Sequence, residues 1–308
     1  MSIITGGTIA IDNVKTPKAE EKNLLGGSAA YASLAASYFH TPVHLVGIIG
    51  KDYPKEHLEM LESHGITLDG VERSDQESFT WTGEYLENMN DRETLSVGLN
   101  VLESWSLEIP DTISNSEHVL LANMSPQNQL EMLELCDSEE RFVIADTMDL
   151  WITIAKDQLH EVFTQVDLLV LNESEAQLLA ETSNLVLAGK LLLEKGPKFV
   201  IVKMGEFGAT LFAQDGSIFR CPSYPLAEVT DPTGAGDSFV GALIGHLASL
   251  PKECTDYDFI DLSNGMVRGT VLASFTCEAF STRKLQSLSK EDIQGRLEEL
   301  YKMSKWSI

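Results

Sequence analysis

The chain has 308 residues, 43% of them hydrophobic, which is enough to bury one large core or two modest ones. Its formal charge of −25, from 47 acidic and 22 basic residues, argues against a nucleic-acid partner, because phosphate binding needs clustered Lys and Arg. With no apolar run of about 18 residues and no secretion signal, we expect a cytoplasmic protein without a membrane partner. The four scattered cysteines predict no disulfide framework.

Short apolar runs alternate with helical patterns along the chain. The runs are bounded by Gly, Asn or Asp, which is typical of buried strands. The predicted strands are SIITGG, PVHLVGIIG, EHVLLANM, RFVIADTM, DLLVLN and KFVIVKMG. Helical spacing predicts helices in SAAYASLAASYF, PKEHLEMLESHG, SPQNQLEMLELC and ESEAQLLAETS. This order predicts an α/β fold with a mostly parallel sheet and helices on both of its faces.

Residues 68–101 interrupt the alternation. Thr and aromatic residues alternate with polar ones around a turn at 88–91, which predicts a small antiparallel sheet inserted as a lid. Phe79, Trp81 and Tyr85 stand at alternating positions and therefore share one face of a strand. This face could close over a sugar or base, or form the lid's own packing surface or a dimer contact.

The stretch TGAGD, residues 233–237, joins a glycine-rich turn to an apolar run at helical spacing. Gly234, Ala235 and Gly236 allow a tight turn, and their N–H groups at a helix N-terminus form an anion site. If the anion is a phosphoryl group in transfer, Asp237 can accept the proton of an attacking hydroxyl. An isolated motif of this kind is otherwise a structural turn. We expect the helix N-terminus to keep Asp237 ionised at neutral pH.

Two other glycine motifs match no nucleotide-binding fingerprint. GIIGKD, residues 47–52, has the wrong spacing for a P-loop, and Asp52 occupies the position of the Ser or Thr hydroxyl. TGGTIA near the amino terminus does not have the G-x-G-x-x-G spacing of a dinucleotide site. A dinucleotide-dependent oxidoreductase is therefore a weak alternative.

DPTGAGDSF, residues 231–239, resembles the C-terminal signature of the PfkB carbohydrate kinase family, also called the ribokinase family. The likeness extends over nearly the whole chain in the same order, through paired glycines at 26–27, VGIIGKD, NESEA at 172–176 and VKMGEFGATLF at 202–212. The resemblance implies ATP-dependent transfer of the γ-phosphoryl group to a hydroxyl of a sugar, nucleoside or related polyol such as a cyclitol.

The resemblance also implies a three-layer α/β/α ribokinase-like body with a β-sheet lid. We expect residues 1–308 to form a single kinase domain, with a lid made of roughly residues 12–22 and 68–101.

In the phosphoryl-transfer part of the family pattern, Asp237 matches the catalytic base, and Gly234, Ala235 and Gly236 match the anion hole. Asn172 and Glu175, within NESE, resemble the N-x-x-E motif, so the resemblance implies that they organise Mg²⁺ and its water near the phosphates. The alternative for these two residues is a loop followed by a helix with an acidic first turn.

Lys203, Gly205 and Gly208 match the segment that approaches the nucleotide, although GEFG alone is an ordinary strand turn. Asn264 resembles the adenine-side asparagine of the family, and a buried Asn capping a turn is the alternative. Asp231 matches the position where many members hold a monovalent cation, here K⁺, and an Asp-Pro turn is its alternative.

On the acceptor side, Asp12 matches the carboxylate that binds substrate hydroxyls, and Gly26 with Gly27 match the glycines where substrate meets lid. The chain then departs from ribokinase. Tyr31 stands where ribokinase has an asparagine that bonds the sugar, and Asn123 stands where it has a glutamate. Both changes put ribose in doubt as the acceptor.

The main hypothesis is an active kinase, and the alternative is a nucleotide- or ligand-binding protein on the same fold that performs no chemistry. The presence of Asp237 favours the enzyme, since a degenerate member is expected to lose it first. A phosphorylated acceptor would need basic partners. The basic residues near the matched substrate positions are interpreted as solvated lid charges: Lys15, Lys18, Lys22 and Arg92. We therefore expect an uncharged acceptor.

Overall fold

A computed structural model describes residues 1–305 and contains two β-sheets. The strands are β1 Ile3–Gly6, β2 Ala10–Lys15, β3 Glu20–Gly26, β4 Val43–Ile49, β5 Ile66–Arg73, β6 Phe79–Tyr85, β7 Arg92–Gly98, β8 His118–Leu121, β9 Phe142–Asp146, β10 Leu168–Asn172, β11 Phe199–Lys203, β12 Ala209–Ala213 and β13 Ile218–Cys221. The larger sheet has nine strands in the order β13-β12-β11-β10-β9-β8-β1-β4-β5. All its pairings are parallel except those of β12 with β11 and β13, so the predicted mostly parallel sheet is confirmed.

Helices cover both faces of this sheet. They are α1 Ser28–Ser37, α2 Lys55–Ser63, α3 Asp111–Ser114, α4 Pro126–Leu135, α5 Asp149–Ile154, α6 Lys156–Phe163, α7 Glu173–Ala180, α8 Leu185–Leu193, α9 Ala235–Ala248, α10 Phe259–Thr276 and α11 Lys290–Ser304. Within residues 1–305, none of the helices combines the length and apolar content needed to cross a membrane.

The core consists of one apolar cluster on each face of the large sheet. Ile3 and Ile4 are neighbours in β1 and point to opposite faces, as successive residues of a strand must. Ile3 packs into the cluster of α1, α2, α9 and α10, and Ile4 into that of α4, α6, α7 and α8. The three-layer α/β/α arrangement is therefore confirmed, because the apolar runs that predicted strands are buried on both sides.

The smaller sheet has the order β3-β2-β6-β7 and forms the lid. Its outer pairings are antiparallel as expected, whereas β2 and β6 run parallel. The expected boundary at residue 68 is corrected, because Ile66–Arg73 is β5, the edge strand of the large sheet beside β4. An edge strand with one covered face has alternating polar residues, so its sequence resembles that of the lid. The lid strands lie at 10–26 and 79–98.

The aromatic face of β6 packs against the body of the protein. Trp81 and Tyr85 belong to a small cluster with Val14, Leu24 and Phe280, the last of which follows α10. Of the alternatives considered for this face, Trp81 and Tyr85 fit the one in which it forms the lid's own packing surface.

Candidate active site

Polar side chains collect at the carboxyl ends of four neighbouring strands. Asn123 follows β8, Asp146 ends β9, Asn172 ends β10 and Lys203 ends β11. In a parallel sheet these ends lie at one edge, which is where ligands bind in such folds. The N-terminus of α9 reaches the same edge, since the Lys203 ammonium lies against Gly236.

The glycine-rich turn adopts the predicted geometry at the start of α9. Gly234 is the N-cap residue with φ of 76°, a conformation that favours glycine. A Cβ at this position would lie 2.3 Å from the ring of Tyr31, so the turn also requires a residue without a side chain. Asp237 is half-buried in the first turn of the helix. The amides and the carboxylate are therefore together at one helix N-terminus, as the sequence predicted.

The charge on Asp237 is set by more than the helix. Desolvation and the neighbouring carboxylate of Asp146 raise its pKa to about 6, while Lys203 and Arg92 oppose the rise. The expected stabilisation of this carboxylate by the helix N-terminus is therefore outweighed by desolvation and Asp146. Because a pKa of about 6 lies below 7, Asp237 is still mostly ionised at neutral pH and can accept a proton.

Lys203 forms an ion pair with Asp146, a residue that the sequence analysis missed. Lys203 Nζ lies 3.0 Å from Asp146 Oδ2, and the two side chains are 17% and 8% exposed. Desolvation disfavours the ammonium, but Asp146, Glu175 and Asp237 outweigh it and raise the pKa of Lys203. The signal for Asp146 was its place at the end of the predicted strand RFVIADTM.

Asn172 and Glu175 form the capping box of α7. The Glu175 N–H donates to Asn172 Oδ1 at 2.9 Å, and the Asn172 N–H donates to Glu175 Oε2 at 2.7 Å. Their contacts in this structure are thus those of the alternative, a loop followed by a helix with an acidic first turn. Desolvation and Asp146 raise the pKa of Glu175 to about 7.

These two residues also fit Mg²⁺, because an amide and a carboxylate oxygen suit a hard cation, and a nearby cation would favour ionised Glu175. Among residues 1–305, no group of three or more His, Cys, Asp or Glu side chains is arranged to hold a metal ion.

The segment after β11 turns sharply through Gly205 and Gly208, both with positive φ. A Cβ on Gly208 would lie 2.0 Å from the carbonyl oxygen of Cys221, so this glycine permits close packing against the end of β13. Gly205 faces the lid tip, and Asn90 of the lid donates to Glu206 at 3.2 Å. The nucleotide role of both glycines stays a prediction.

Asn264 lies exposed in the second turn of α10, the helix that packs against α9. Its carbonyl oxygen accepts a hydrogen bond from Arg268 one turn later. The predicted contact with adenine stays a prediction, and the side chain is not the buried turn cap considered as its alternative.

Asp231 links the glycine-rich turn to the segment after α10. Its Oδ1 accepts the Thr233 N–H at 2.9 Å, and its Oδ2 accepts the Ser281 N–H at 3.1 Å. The side chain is fully buried, and desolvation raises its pKa against the effect of these hydrogen bonds. The local Asp-Pro turn is therefore present, and a role in holding a monovalent cation stays a prediction.

Asp12 lies on lid strand β2 and is buried against Gly26 of β3. A Cβ on Gly26 would lie 2.1 Å from the Asp12 carboxyl carbon. Gly27 has φ of 94°, and a Cβ there would lie 2.3 Å from the Thr8 carbonyl oxygen. Desolvation, with the charges of Asp231 and Asp237, raises the pKa of Asp12 to about 8. The absence of a side chain at Gly26 thus makes room for the Asp12 carboxyl group.

Tyr31 and Asn123 make contacts within the protein. Tyr31 is 2% exposed and its ring supports the turn at Gly234. Asn123 Oδ1 accepts the Trp151 indole N–H at 2.9 Å, and its amide donates to the Met148 sulfur at 3.2 Å. We interpret both as supports of the site, and direct contact with an acceptor stays a prediction.

Arg92 of the lid is exposed, as expected for a solvated charge. Its guanidinium carbon nevertheless lies 5.9 Å from the centre of the Trp81 ring, and its charge lowers the pKa of Asp237. Tyr85 on β6 pairs with Arg92 on the neighbouring strand β7, and its hydroxyl accepts a hydrogen bond from the Thr233 hydroxyl at 3.1 Å. The lid thus brings one cation towards the glycine-rich turn, contrary to a purely solvated role.

The chain is similar to named kinases in sequence and in structure. It is 26% identical over 257 residues to a cytidine kinase of Thermococcus kodakarensis, with 82% of this chain and 91% of the relative covered. A Burkholderia thailandensis nucleoside kinase in complex with inosine matches with a TM-score of 0.75 and 16% identity, covering 97% of both chains. An Escherichia coli protein assigned provisionally as ribokinase II, in complex with ATP and Mg²⁺, matches at 0.77 with 18% identity, covering 98% and 99%.

These likenesses confirm the ribokinase-like fold. Residues 9–287 match the family model described as pfkB family carbohydrate kinase. That span contains all the candidate residues from Asp12 to Asn264, and it favours neither an oxidoreductase nor a binding protein without catalysis. The chain therefore belongs to the pfkB family of carbohydrate kinases.

Proposed function

We propose that the protein transfers the γ-phosphoryl group of ATP to a hydroxyl of an unphosphorylated sugar, cyclitol or nucleoside. One observation carries this proposal: Asp237 stands beside the amides of the Gly234–Gly236 turn and also within electrostatic reach of Asp12. In this proposal the proton acceptor, the anion site and a carboxyl group for acceptor hydroxyls lie close together. In-line transfer to a hydroxyl needs these three elements.

In this mechanism the acceptor oxygen attacks the γ-phosphorus while the bond to the β-bridging oxygen breaks and its electron pair leaves with ADP. Asp237 accepts the hydroxyl proton, and the amides of Gly234, Ala235 and Gly236 stabilise the charge on the phosphoryl oxygens. Asn172 and Glu175 would hold Mg²⁺ and its water, which neutralises phosphate charge when bound. Lys203, Gly205, Gly208 and Asn264 would bind the nucleotide.

The acceptor is uncharged in this proposal. Asp12 has a pKa of about 8, so at neutral pH it carries a proton and offers both a donor and an acceptor to hydroxyl groups. Asp231 and Asp237 lie near enough to raise that pKa, and the same charges would repel an anionic acceptor. The sequence relatives named cytidine kinase, nucleoside kinase and ribokinase support a nucleoside or a sugar.

The test is an ADP-release assay with ATP, Mg²⁺ and a panel of sugars, cyclitols and nucleosides. We expect at least one uncharged acceptor to be phosphorylated, with kcat/KM higher than for fructose 6-phosphate or tagatose 6-phosphate. A preference for either sugar phosphate would contradict the uncharged acceptor. Binding of ATP with no transfer to any acceptor would favour the binding-protein alternative.

We also propose activation by K⁺ through the Asp231 turn. Asp231 ties this turn to the segment at Ser281, so a cation bound beside them would stiffen the anion site. Rates measured in K⁺ and in Na⁺ at one ionic strength test this, and equal rates would contradict it.

A homodimer through the lid is proposed from apolar side chains on the edge strand β7. Leu95 and Val97 are 53% and 49% exposed, and exposed apolar side chains on a sheet edge suit a protein contact. Light scattering at several concentrations should give twice the mass of one chain for the parent protein. The Leu95→Glu variant should give the mass of a single chain.

We propose a cytoplasmic location. Its support is the free state of Cys136, Cys221, Cys254 and Cys277, which suits a reducing compartment. Fractionation of the source cells tests it, and recovery outside the cytoplasmic fraction would contradict it.

A further inference from the structure

The ammonium of Lys203 lies close to the anion turn. A Cβ added at Gly236 would lie 3.1 Å from Lys203 Nζ, so the ammonium occupies the space beside that residue. Asp146 holds it there through the ion pair of 3.0 Å. The two residues end β11 and β9, which flank β10, and the pair therefore spans the strand that carries Asn172.

The carboxylates of Asp146, Glu175 and Asp237 keep the buried ammonium of Lys203 charged. A helix N-terminus also carries partial positive charge, and Lys203 lies at the first turn of α9, so two positive groups stand side by side. An anion between the ammonium and the helix amides would satisfy both positive groups at once.

The other end of β11 offers a comparison. Lys198 pairs with Asp167 at 2.8 Å, but the lysine side chain is 62% exposed and no glycine-rich turn adjoins it. That pair resembles an ordinary surface ion pair, which contributes little. Lys203 is 17% exposed and faces Asp146, Glu175 and Asp237, so its charge is directed into the candidate site.

We propose that Lys203 is a catalytic residue that contacts the γ-phosphoryl group during transfer, and that Asp146 is the positioning residue that holds its ammonium beside Gly236. This inference rests on the proposed function and adds a residue role to it. Lys203 stays protonated throughout, donates to a non-bridging phosphoryl oxygen and takes no proton from the acceptor. The hydroxyl proton still goes to Asp237, and the leaving electron pair still goes to ADP.

The first experiment compares Lys203→Met and Lys203→Arg with the matched control Lys198→Met. We expect kcat of Lys203→Met to fall by about 10²-fold, the usual loss for one donor to a developing oxyanion. Lys203→Arg keeps the charge and should lose less. Lys198→Met should stay within about twofold, as expected for an exposed position.

A second readout needs no turnover. Calorimetric titration without acceptor should show that Lys203→Met weakens ATP binding by about tenfold and leaves ADP binding unchanged, because only ATP carries the γ-phosphate. Equal losses for ATP and ADP would overturn the inference, since they would place Lys203 elsewhere on the nucleotide.

The pH profile separates a charge effect from a packing effect. Asp237 faces Asp146, which raises its pKa, and Lys203 and Arg92, which lower it. The acid limb of kcat/KM should therefore move to higher pH in Lys203→Met and to lower pH in Asp146→Asn. Asp167→Asn is the control for Asp146 and should leave the limb in place.

A Lys203→Met enzyme with normal kcat, or limbs that do not move in opposite directions, would overturn the proposal. If Lys203→Met does not fold, the kcat of Lys203→Arg and the position of the acid limb in Asp146→Asn still decide the question. If the unaltered protein phosphorylates no acceptor, the proposed function fails, while the comparison of ATP with ADP binding still tests the contact of Lys203.

Discussion

The phosphoryl half and the acceptor half of the candidate site hold their side chains differently. In the phosphoryl half, Asp237 and Lys203 meet at the glycine-rich turn and influence each other's charge. In the acceptor half, Tyr31 is buried beneath Gly234, and the Asn123 amide is bonded to Trp151 and Met148. The phosphoryl half presents charged groups to the candidate site, whereas Tyr31 and Asn123 of the acceptor half pack against other residues of the protein.

This difference reflects what determines each half. The anion turn depends on a local backbone conformation, and its glycines follow from positive φ and close packing. The acceptor half depends on which distant side chains occupy the hydrogen bonds of residues such as Asn123. The phosphoryl chemistry should therefore be sensitive to small backbone changes, while acceptor-side changes should appear first in stability and in acceptor binding.

The largest effect expected from a backbone change comes from Gly234→Ala. The added Cβ would lie 2.3 Å from the Tyr31 ring at a φ of 76°, so the turn must shift and its amides must move. We expect kcat to fall by about 10²-fold or more, since the loss of one donor from an anion hole typically lowers kcat by this factor. Gly216→Ala is the control, with φ of 88° and nothing within 4 Å of its Cβ. Equal kcat in the two variants would remove the special role of the Gly234 turn.

The next effect concerns Asp12 and pH. Its folded pKa of about 8 exceeds the value of about 4 for an unfolded chain, so the folded state binds the extra proton. Stability from this group is complete below about pH 4 and is lost as pH rises through about 8. Asp12→Asn should therefore be more stable than the parent at pH 8, and even one unit of the shift corresponds to about 1.4 kcal/mol.

Chemical denaturation of both proteins from pH 5 to pH 8.5 measures this difference. A gap in unfolding free energy that narrows with rising pH would show that Asp12 is ionised and stabilised in the fold, contrary to its placement beside Asp231 and Asp237.

The smallest effect tests whether Asn123 is a support. Trp151→Phe and Asn123→Ala should each lower the free energy of unfolding by about 1 kcal/mol, the value of one hydrogen bond. The double variant should lose less than the sum, because the two changes remove one shared bond. Additive losses, together with a rise in acceptor KM for Asn123→Ala alone, would instead assign Asn123 to the acceptor.

The sequence predicted the parts of this site that are local. TGAGD located the helix N-terminus and Asp237, and NESE located Asn172 with Glu175, because each motif spans a few residues. Asp146 escaped because its partner Lys203 is 57 residues away and meets it only across β10. The raised pKa of Asp237 escaped for the same reason, since it depends on burial and on Asp146.

The fold followed the same rule. The six apolar runs became β1, β4 and β8 to β11 because burial on both faces leaves a clear pattern. The edge strand β5 was assigned to the lid, since one covered face gives the alternation expected of a lid strand. The burial of Tyr31 under Gly234 joins α1 to α9 and leaves no signal near either residue.

Asp237→Asn tests the central claim most directly, because it keeps the size of the side chain and removes the basic oxygen. We predict that ATP binding survives and that kcat falls by roughly 10² to 10⁴-fold, more than KM changes. The parent should show an acid limb near pH 6, the pKa of Asp237, and the residual activity of the variant should lack it. A folded Asp237→Asn protein with near-normal kcat and an unchanged acid limb would contradict the account.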